Sequence, residues 1–482
     1  MYVQSARRER GVHLFLSPAF FVFHHSLLVT PRFIQRTGRS WPWAGSGNTV
    51  AAVILTTIIL GAAAWPNAPL SLLGASGPVR GFTLLQPMQY LFLAPLTRLL
   101  DELSLLAAEQ HLLLLETVAL AIALRAAFRA VRRNSTRQAQ ATRALVHDLI
   151  IPSAVLVLLY VVGAIVPRPM VALRASDPAE VLVDFHSHTS RSHDGRWGFS
   201  AEANRAWHAA AGFNAAYITD HQSPESWRLL AQMTEGPPQP RHVQEGTIAG
   251  ADYPTLSTTL LPGIETAVPG AHVNLLGVGA AHATLFRNDR NLDTLAFDAV
   301  PLRERPVVLL TLPFDLTRSL ARVPRVDAIE ISDGSPRGLS FARANLSRIR
   351  ALSDSLKVPL VASSNNHGWG ATAVAWTAVR IEGWQALTPQ QLEQGIRAAL
   401  LERPSAVRVV ERSAVASGVS SLAQLSIAPR LLLHIVRVVS PAERVAFVAW
   451  IWSVWLWRRP GSAARGRRRR VIADNVRMLG NV

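Results

Sequence analysis

Two kinds of apolar pattern divide the chain. Residues 149–166, LIIPSAVLVLLYVVGAIV, run for eighteen positions without a charge, long enough for a membrane-spanning helix, and 49–65 is a second such run. Stretch 102–124 is a third candidate span, interrupted by Glu109 and Glu116. Residues 442–457 form a short Trp-rich run of the kind that anchors a span at the membrane interface. The Pro-interrupted stretch 82–97 reads as re-entrant or interfacial, and 14–29 is ambiguous because His24 and His25 break its apolar run.

Residues 175–412 follow another pattern, in which short apolar runs alternate with amphipathic stretches. Strands are expected at 181–186, 214–219, 259–264, 272–278, 306–312, 326–331 and 358–362, and helices at 200–211, 338–352 and 388–400. Strand–helix alternation implies an α/β fold with a mostly parallel sheet. Seven strands in this stretch suggest a barrel, whose ligands gather at the C-terminal strand ends. Residues 234–246 read as a loop or lid. The expected organisation is a basic and apolar N-terminal segment (1–48), a transmembrane helical region (49–168), the barrel (175–412) and a C-terminal membrane helix with a basic tail (427–482).

Composition sharpens the membrane reading. The 482 residues include 49 Lys and Arg against 32 Asp and Glu, a formal charge of +17. The mean hydropathy is nevertheless positive, at +0.20. The two values agree if apolar and basic residues are segregated, as in a membrane protein. Arg125, Arg129, Arg132, Arg133, Arg137 and Arg143 lie between the third candidate span and 149–166, and Arg458, Arg459, Arg465 and Arg467–Arg470 follow 442–457. Cytoplasmic loops carry such excess. With both flanks inside, everything between 166 and 442 lies on the outer face. The run RGRRRR can also bind nucleic acid or anionic lipid, but a topology anchor is the simpler reading. No small-residue cleavage site follows the first apolar run. The chain has no cysteine, so neither disulfides nor thiolate metal sites are available. A metal must be held by His, Asp, Glu or Asn.

Several expected strand ends carry such residues. The stretch DFHSHTSRSHDG, 184–195, holds Asp184, His186, His188, His193 and Asp194 just after the apolar run Val181–Leu182–Val183. Residues i and i+2 of a strand share a face, so His186 and His188 point the same way. The next strand ends in Asp220 and His221, and the third in Glu265. His272 arrives from the loop before its own strand, and the last strand leads to Asn365, Asn366 and His367. That is more imidazole and carboxylate than one ion needs. A two- or three-metal hydrolytic cluster follows, with phosphate esters as the substrates that gain most from it.

In these residues the chain resembles the polymerase and histidinol phosphatase (PHP) domain family. The carriers, in order, are HSHTSRSHDG, ITDH, GIE, AHVNLLGVG and SSNNHGWG, all within about 175–412. The resemblance implies a distorted seven-stranded (β/α) barrel with a two- or three-metal site, and phosphoester hydrolysis as the activity. By that resemblance His186 and His188 match the first ligand pair. His193 or Asp194 fills the next position. His221 matches a ligand, with Asp220 beside it as ligand support or proton acceptor. Glu265 matches the carboxylate that bridges metals, and His272 and His367 match the later histidines. Two departures stand out. The family's S-D-x-H motif reads Ser364–Asn365–Asn366–His367, so Asn365 brings an amide where the family has a carboxylate. The family's His-Pro pair at the fifth strand reads Leu312–Pro313. Both favour a dinuclear over a trinuclear site.

The expected protein is therefore an integral membrane metal-dependent phosphoesterase with an extracytoplasmic catalytic domain. It would use two or three divalent ions (Mn, Fe or Zn) on His186, His188, His193, Asp194, His221, Glu265, His272, Asn365 and His367, with Asp220 as the candidate for proton transfer. Its expected partners are a phosphorylated small molecule or lipid-linked substrate and the membrane, not nucleic acid. Two other readings compete: a degenerate ligand-binding or sensor module coupled to the membrane helices, and a cytoplasmic-facing nuclease. Around the cluster, Asp184 is expected to bond a ligand imidazole or to serve the strand end. Glu330 and Asp333 are candidate supporting groups, Arg191 and Arg196 are surface arginines able to hold phosphate, and Trp369 and Trp376 are core.

Overall fold

The computed structural model describes residues 47–73, 79–133, 146–235, 243–248, 251–256, 258–268, 270–279, 304–315, 325–370, 372–416 and 426–458. The expectations for 14–29 and for the arginine tail lie outside these residues. The chain divides into two compact units, Met1–Leu55 with Trp452–Val482, and Thr56–Ile451. The described part of the first is helical, and Trp455 Nε1 donates to Thr49 Oγ1 at 3.1 Å.

Up to residue 165 the described chain forms α1 (Gly47–Gly61), β1 (Leu70–Leu72), β2 (Phe82–Leu85), α2 (Met88–Phe92), α3 (Ala94–Ser104), α4 (Ala108–Arg133) and α5 (Ile151–Ile165). A π-helical turn over Val146–Ile150 leads into α5. Among the described residues, two helical stretches are long and apolar enough to cross a membrane, Ala108–Arg129 and Val146–Ile165, and little of either is buried. They form an antiparallel hairpin. Arg129 pairs with Asp148 at one end, and His111 Nδ1 meets Tyr160 Oη at 3.3 Å nearer the other. The apolar stretch Asn48–Ala64 is helical but shorter. Stretch 102–124 is not one helix. Glu102 belongs to α3, where Arg98 pairs with it at 2.6 Å, and the helix breaks over 105–107 before α4 begins. Residues 82–97 hold β2, α2 and the start of α3 rather than a re-entrant loop.

The rest of the second unit is a mixed α/β fold. Its strands are β3 (Ala172–Ala175), β4 (Glu180–Ser187), β5 (Ala215–Ile218), β6 (Val243–Ile248), β7 (Ala251–Leu256), β8 (Thr259–Val268), β9 (Ala271–Leu276), β10 (Val307–Thr311), β11 (Ala328–Ser332), β12 (Leu360–Ala362), β13 (Ala375–Arg380) and β14 (Val407–Arg412). Its helices are α6 (Ala201–Ala211), α7 (Pro224–Glu235), α8 (Pro336–Leu356), α9 (Pro389–Glu402) and α10 (Ile427–Val438), and α11 (Pro441–Arg458) follows. Ten strands form one curled sheet in the order β1-β14-β13-β4-β5-β8-β9-β10-β11-β12. The strands β4, β5, β10 and β11 are buried along their whole length; β5 and β10 therefore read as nearly continuous apolar runs, while β4 and β11 also carry Asp184, His186 and Glu330. Helices are bounded by local chemistry. Ser200 Oγ accepts from Ala203 N to start α6, and Gly212 stops it at a φ of 89°, the left-handed conformation glycine favours.

The sheet is not uniformly parallel. Strand β9 runs antiparallel to both β8 and β10, with His272 opposite Ala267 and Thr311. A tight turn after β8 places the start of β9 at the C-terminal end of β8. Beyond β12 the chain reaches back to β4: Asn365 N donates to His186 O at 2.8 Å and His188 N to Asn366 O at 2.9 Å. The expected loop at 234–246 is in part strand, because β6 pairs with β7 in a separate hairpin; residues 236–242 lie outside the described set. Trp376 is core as expected, but Trp369 is 48% exposed.

Candidate metal centre

The C-terminal strand ends carry the cluster. His186 lies within β4 and His188 just beyond it, and their Nε2 atoms are 3.0 Å apart. Glu265, on β8, reaches both. Its Oε2 lies 3.3 Å from His186 Nε2, 3.3 Å from His188 Nε2 and 3.4 Å from His221 Nδ1, while its Oε1 lies 2.6 Å from His272 Nδ1. The antiparallel β9 is what lets His272 reach the same carboxylate. Asp194, in the loop after β4, forms the second focus. Its oxygens lie 3.3 Å from His221 Nε2 and 3.4 Å from His367 Nδ1. The His188 and His367 rings stack at 4.1 Å, and the His193 ring lies 4.6 Å from that of His221.

Four groups of ligand atoms converge closely enough to hold an ion: His186–His188–Glu265, His188–Asp194–His367, His193–Asp194–His221 and His221–Glu265–His272. Eight of the nine expected ligands thus come together. The ninth, Asn365, sits in the left-handed region at a φ of 45°. Its Oδ1 lies 3.0 Å from His367 Nε2 and its Nδ2 donates to Asp333 Oδ2 at 3.3 Å. This donor set suits divalent cations. It is built of lone-pair nitrogens and carboxylate oxygens without sulfur, and the buried His188 Nδ1 has no hydrogen-bond partner among the described residues.

The electrostatics are those of a site organised around Glu265. Burial would raise the Glu265 carboxyl, but the surrounding imidazoles, His186 foremost, hold it well below the usual carboxylate range. Burial would lower the His186 imidazole, but Glu265 and Glu330 override it and hold it well above the usual histidine range. Burial wins at His188, helped by the neighbouring imidazoles His367, His186 and His221, and pushes it well down. Burial, then the adjacent Glu330, pushes Asp333 up to about 7.

The supporting groups differ in part from expectation. Asp184 bonds no ligand imidazole. Its carboxylate accepts from Ser364 Oγ, from the backbone N–H of Ser364 and from His186 N, and meets His208 Nε2 at 2.6 Å. It therefore ties the strand ends together. Asp220 accepts from the Thr189 backbone N–H at 2.5 Å and from its hydroxyl at 2.7 Å, so both its oxygens are engaged. Glu330 faces His186 Nδ1 at 3.3 Å and accepts from Leu312 N at 2.8 Å. Arg191 donates to Glu225 O, and Arg196 to Ile165 O and Gly368 O. Thr189 and Ser364 lie inside the motifs and His208 in α6, and none has the spacing of a ligand, so sequence reasoning gives them no role; an ordinary polar residue carries no signal of its own.

No family model and no curated protein matches the chain. Among solved structures, PsfC from Pseudomonas syringae PB-5123 aligns with 17% identity over 53% of this chain and 98% of its own, at a TM-score of 0.32. The lesion-specific endonuclease PfuEndoQ from Pyrococcus furiosus aligns with 13% identity over 46% of this chain and 56% of its own, at a TM-score of 0.28.

Proposed function

We propose that this chain is a membrane-anchored, metal-dependent phosphoester hydrolase of PHP type, its curled sheet a distorted seven-strand barrel that begins at β4 and returns to it after β12. The observation that carries the reading is the Glu265 carboxylate, with four imidazoles from three segments of the chain within 3.4 Å of its two oxygens. In this reading His186, His188 and Glu265 would hold one ion, and His221, Glu265 and His272 a second, with Glu265 common to both groups. Asp194, His193 and His367 complete the ligands on the open side. Such ions supply Lewis acidity, which ionises water near neutral pH and offsets the charge that builds on phosphate oxygens.

The chain's own residues orient this set. Glu330 fixes the His186 ring through Nδ1, as carboxylate partners of metal-binding imidazoles do. Asp220 holds Thr189 and with it the backbone after His188, so we assign it a positioning role in place of proton transfer. The basic stretch 125–143 joins the two spanning helices, and Arg129 and Asp148 meet at that end. The positive-inside rule then supports a barrel outside the membrane.

The test is metal content and phosphatase activity of the full chain in lipid nanodiscs after loading with Mn, Fe or Zn. About two ions per chain and release of phosphate from a phosphomonoester are expected. One ion or fewer at saturation overturns the two-metal reading.

A further inference from the structure

The helical hairpin ends on the metal pole of the barrel. At the close of α5, Gly370 N donates to Ala164 O at 2.6 Å, Arg196 Nη1 to Ile165 O at 2.9 Å, and Arg168 Nη1 to Gly163 O at 3.0 Å. These are the last-turn carbonyls that a helix leaves without partners. A Cβ at Gly370 would collide with Gly163 O, so the loop approaches as closely as backbone allows. At the opening of α4, Ala108 N donates to Ser340 Oγ at 2.9 Å, and Arg343 donates to Gln110 Oε1 at 3.0 Å and to Leu105 O at 2.9 Å. Ser340 and Arg343 lie in the first turns of α8, which follows β11. The segments after β4, β11 and β12 therefore hold both helix ends, and two of those segments carry candidate ligands.

Arg196 makes the link explicit. Its backbone N–H donates to His367 O at 2.8 Å while its guanidinium reaches Ile165 O. The polar zone on each side of the hydrocarbon core is about 5–8 Å deep. The segments that carry Asp194 and His367 bond the helix end directly. Trp197, next in sequence, is 95% exposed, and Trp369 beside Arg196 is half exposed. Indole rings favour the membrane–water interface, where an apolar body and a polar N–H are both satisfied.

We propose that the substrate is a lipid phosphomonoester presented at the bilayer surface, its headgroup entering the metal pole while its acyl chains stay in the membrane. This rests on the hydrolase reading. The water oxygen adds to phosphorus, the ester P–O bond breaks, the lipid alcohol keeps its oxygen and takes a proton, and inorganic phosphate leaves. No oxidant or reductant is needed.

Two measurements on the full chain in phosphatidylcholine nanodiscs test it. The chain has no cysteine, so W197C and K357C each give a single site for a nitroxide label; Lys357 lies at the opposite pole, between α8 and β12. The label at 197 is expected to be open to oxygen and shielded from a water-soluble nickel complex, and the label at 357 the reverse. Equal nickel access at both positions overturns the proposal, whatever the activity. The second measurement compares phosphate release from phosphatidic acid in the disc with release from glycerol phosphate, using Mn-loaded protein. At least a tenfold higher kcat/KM for the lipid is expected. Equal or faster turnover of the soluble ester overturns the lipid assignment and leaves the hydrolase reading standing. Turnover of neither overturns both.

Discussion

The second unit holds two clusters of charged side chains, one buried and one open on part of its face, and they differ in kind. Where α3 and α10 meet the curled sheet, Asp101, Glu102 and Glu443 each have a cationic neighbour from the chain. Arg412 Nη1 lies 3.0 Å and Arg168 Nε 3.5 Å from Asp101, Arg98 lies 2.6 Å from Glu102, and Arg98 also faces Glu443 at 3.8 Å. Tyr90 Oη donates to Asp101 Oδ2 at 3.2 Å. At the metal pole the carboxylates Glu265 and Asp194 face imidazoles and, at Asp194, the Ser192 hydroxyl, with no Arg or Lys side chain paired to them among the described residues, and two ring nitrogens stand 3.0 Å apart. The first cluster is internally compensated and joins helices to the curled sheet. The second concentrates lone pairs without a fixed cation, an arrangement that calls for an ion from outside. The chemical type of a buried cluster, more than its size, separates a structural joint from a site.

The largest expected effect falls on the joint. Asp101→Ala leaves Arg412 and Arg168 buried with one partner fewer, and loss of one member of such a pair costs about 3–5 kcal/mol. Chemical denaturation of the full chain should show that loss, while the metal content of the folded fraction stays unchanged. A parallel loss of metal would mean that the two clusters act as one.

Glu265→Gln should reverse the pattern. It removes the charge on which the imidazoles converge, and with it a term of several kcal/mol in transition-state stabilisation, roughly a thousand-fold in turnover. The global fold should persist, as read by circular dichroism. Retained activity would remove Glu265 from its central role.

A pH series with and without chelator sharpens the comparison further. In the metal-stripped chain the His186 imidazole is held above its unfolded value by Glu265 and Glu330, against the pull of burial. Its contribution to stability is full below about pH 6.5 and is lost as pH rises through the folded value. The loaded chain should behave oppositely, because cations bind deprotonated imidazoles. It should also gain about 2.7 kcal/mol at a hundredfold excess of metal over Kd. Melting curves between pH 5.5 and 9 with the same slope in both states would show that no ion occupies the cluster.

The smallest effect belongs to Glu330→Gln. The amide still reaches Leu312 N but supports the His186 ring less well, so metal affinity should fall about 10–100-fold. Titration with Mn followed by calorimetry reads it, and unchanged affinity would make Glu330 a purely structural group.

Much of the curled sheet was legible in the sequence. The seven strands expected between 181 and 362 are present, because strands buried on both faces are mostly apolar. The chain also holds strands β13 and β14, which the sequence reading lacked; β13 ends in Arg380, and β14 carries Arg408, Glu411 and Arg412, so apolar runs alone do not mark them. The direction of β9 was not legible either, since a strand reads the same whichever way it pairs. Trp369 was expected in the core and lies half exposed, because composition does not reveal which face of a loop meets solvent. The start of α4 shifted from 102 to 108 because Glu102 finds Arg98 inside α3.

The sequence by itself determined which residues stand at the strand ends, for that depends only on where apolar runs stop and on the two-residue alternation of a strand. It likewise marked 102–124 and 149–166 among four candidate spans; the structure, among the described residues, holds two helical stretches long and apolar enough to cross a membrane, Ala108–Arg129 and Val146–Ile165. Only the tertiary structure decided that Glu265 is the point on which the imidazoles converge, that Glu330 backs His186, and that both ends of the hairpin meet the metal pole. Those facts depend on sheet curl, on the reversed β9 and on contacts between residues far apart in the chain, such as Arg196 with Ile165 and Gly370 with Ala164, which no local pattern encodes.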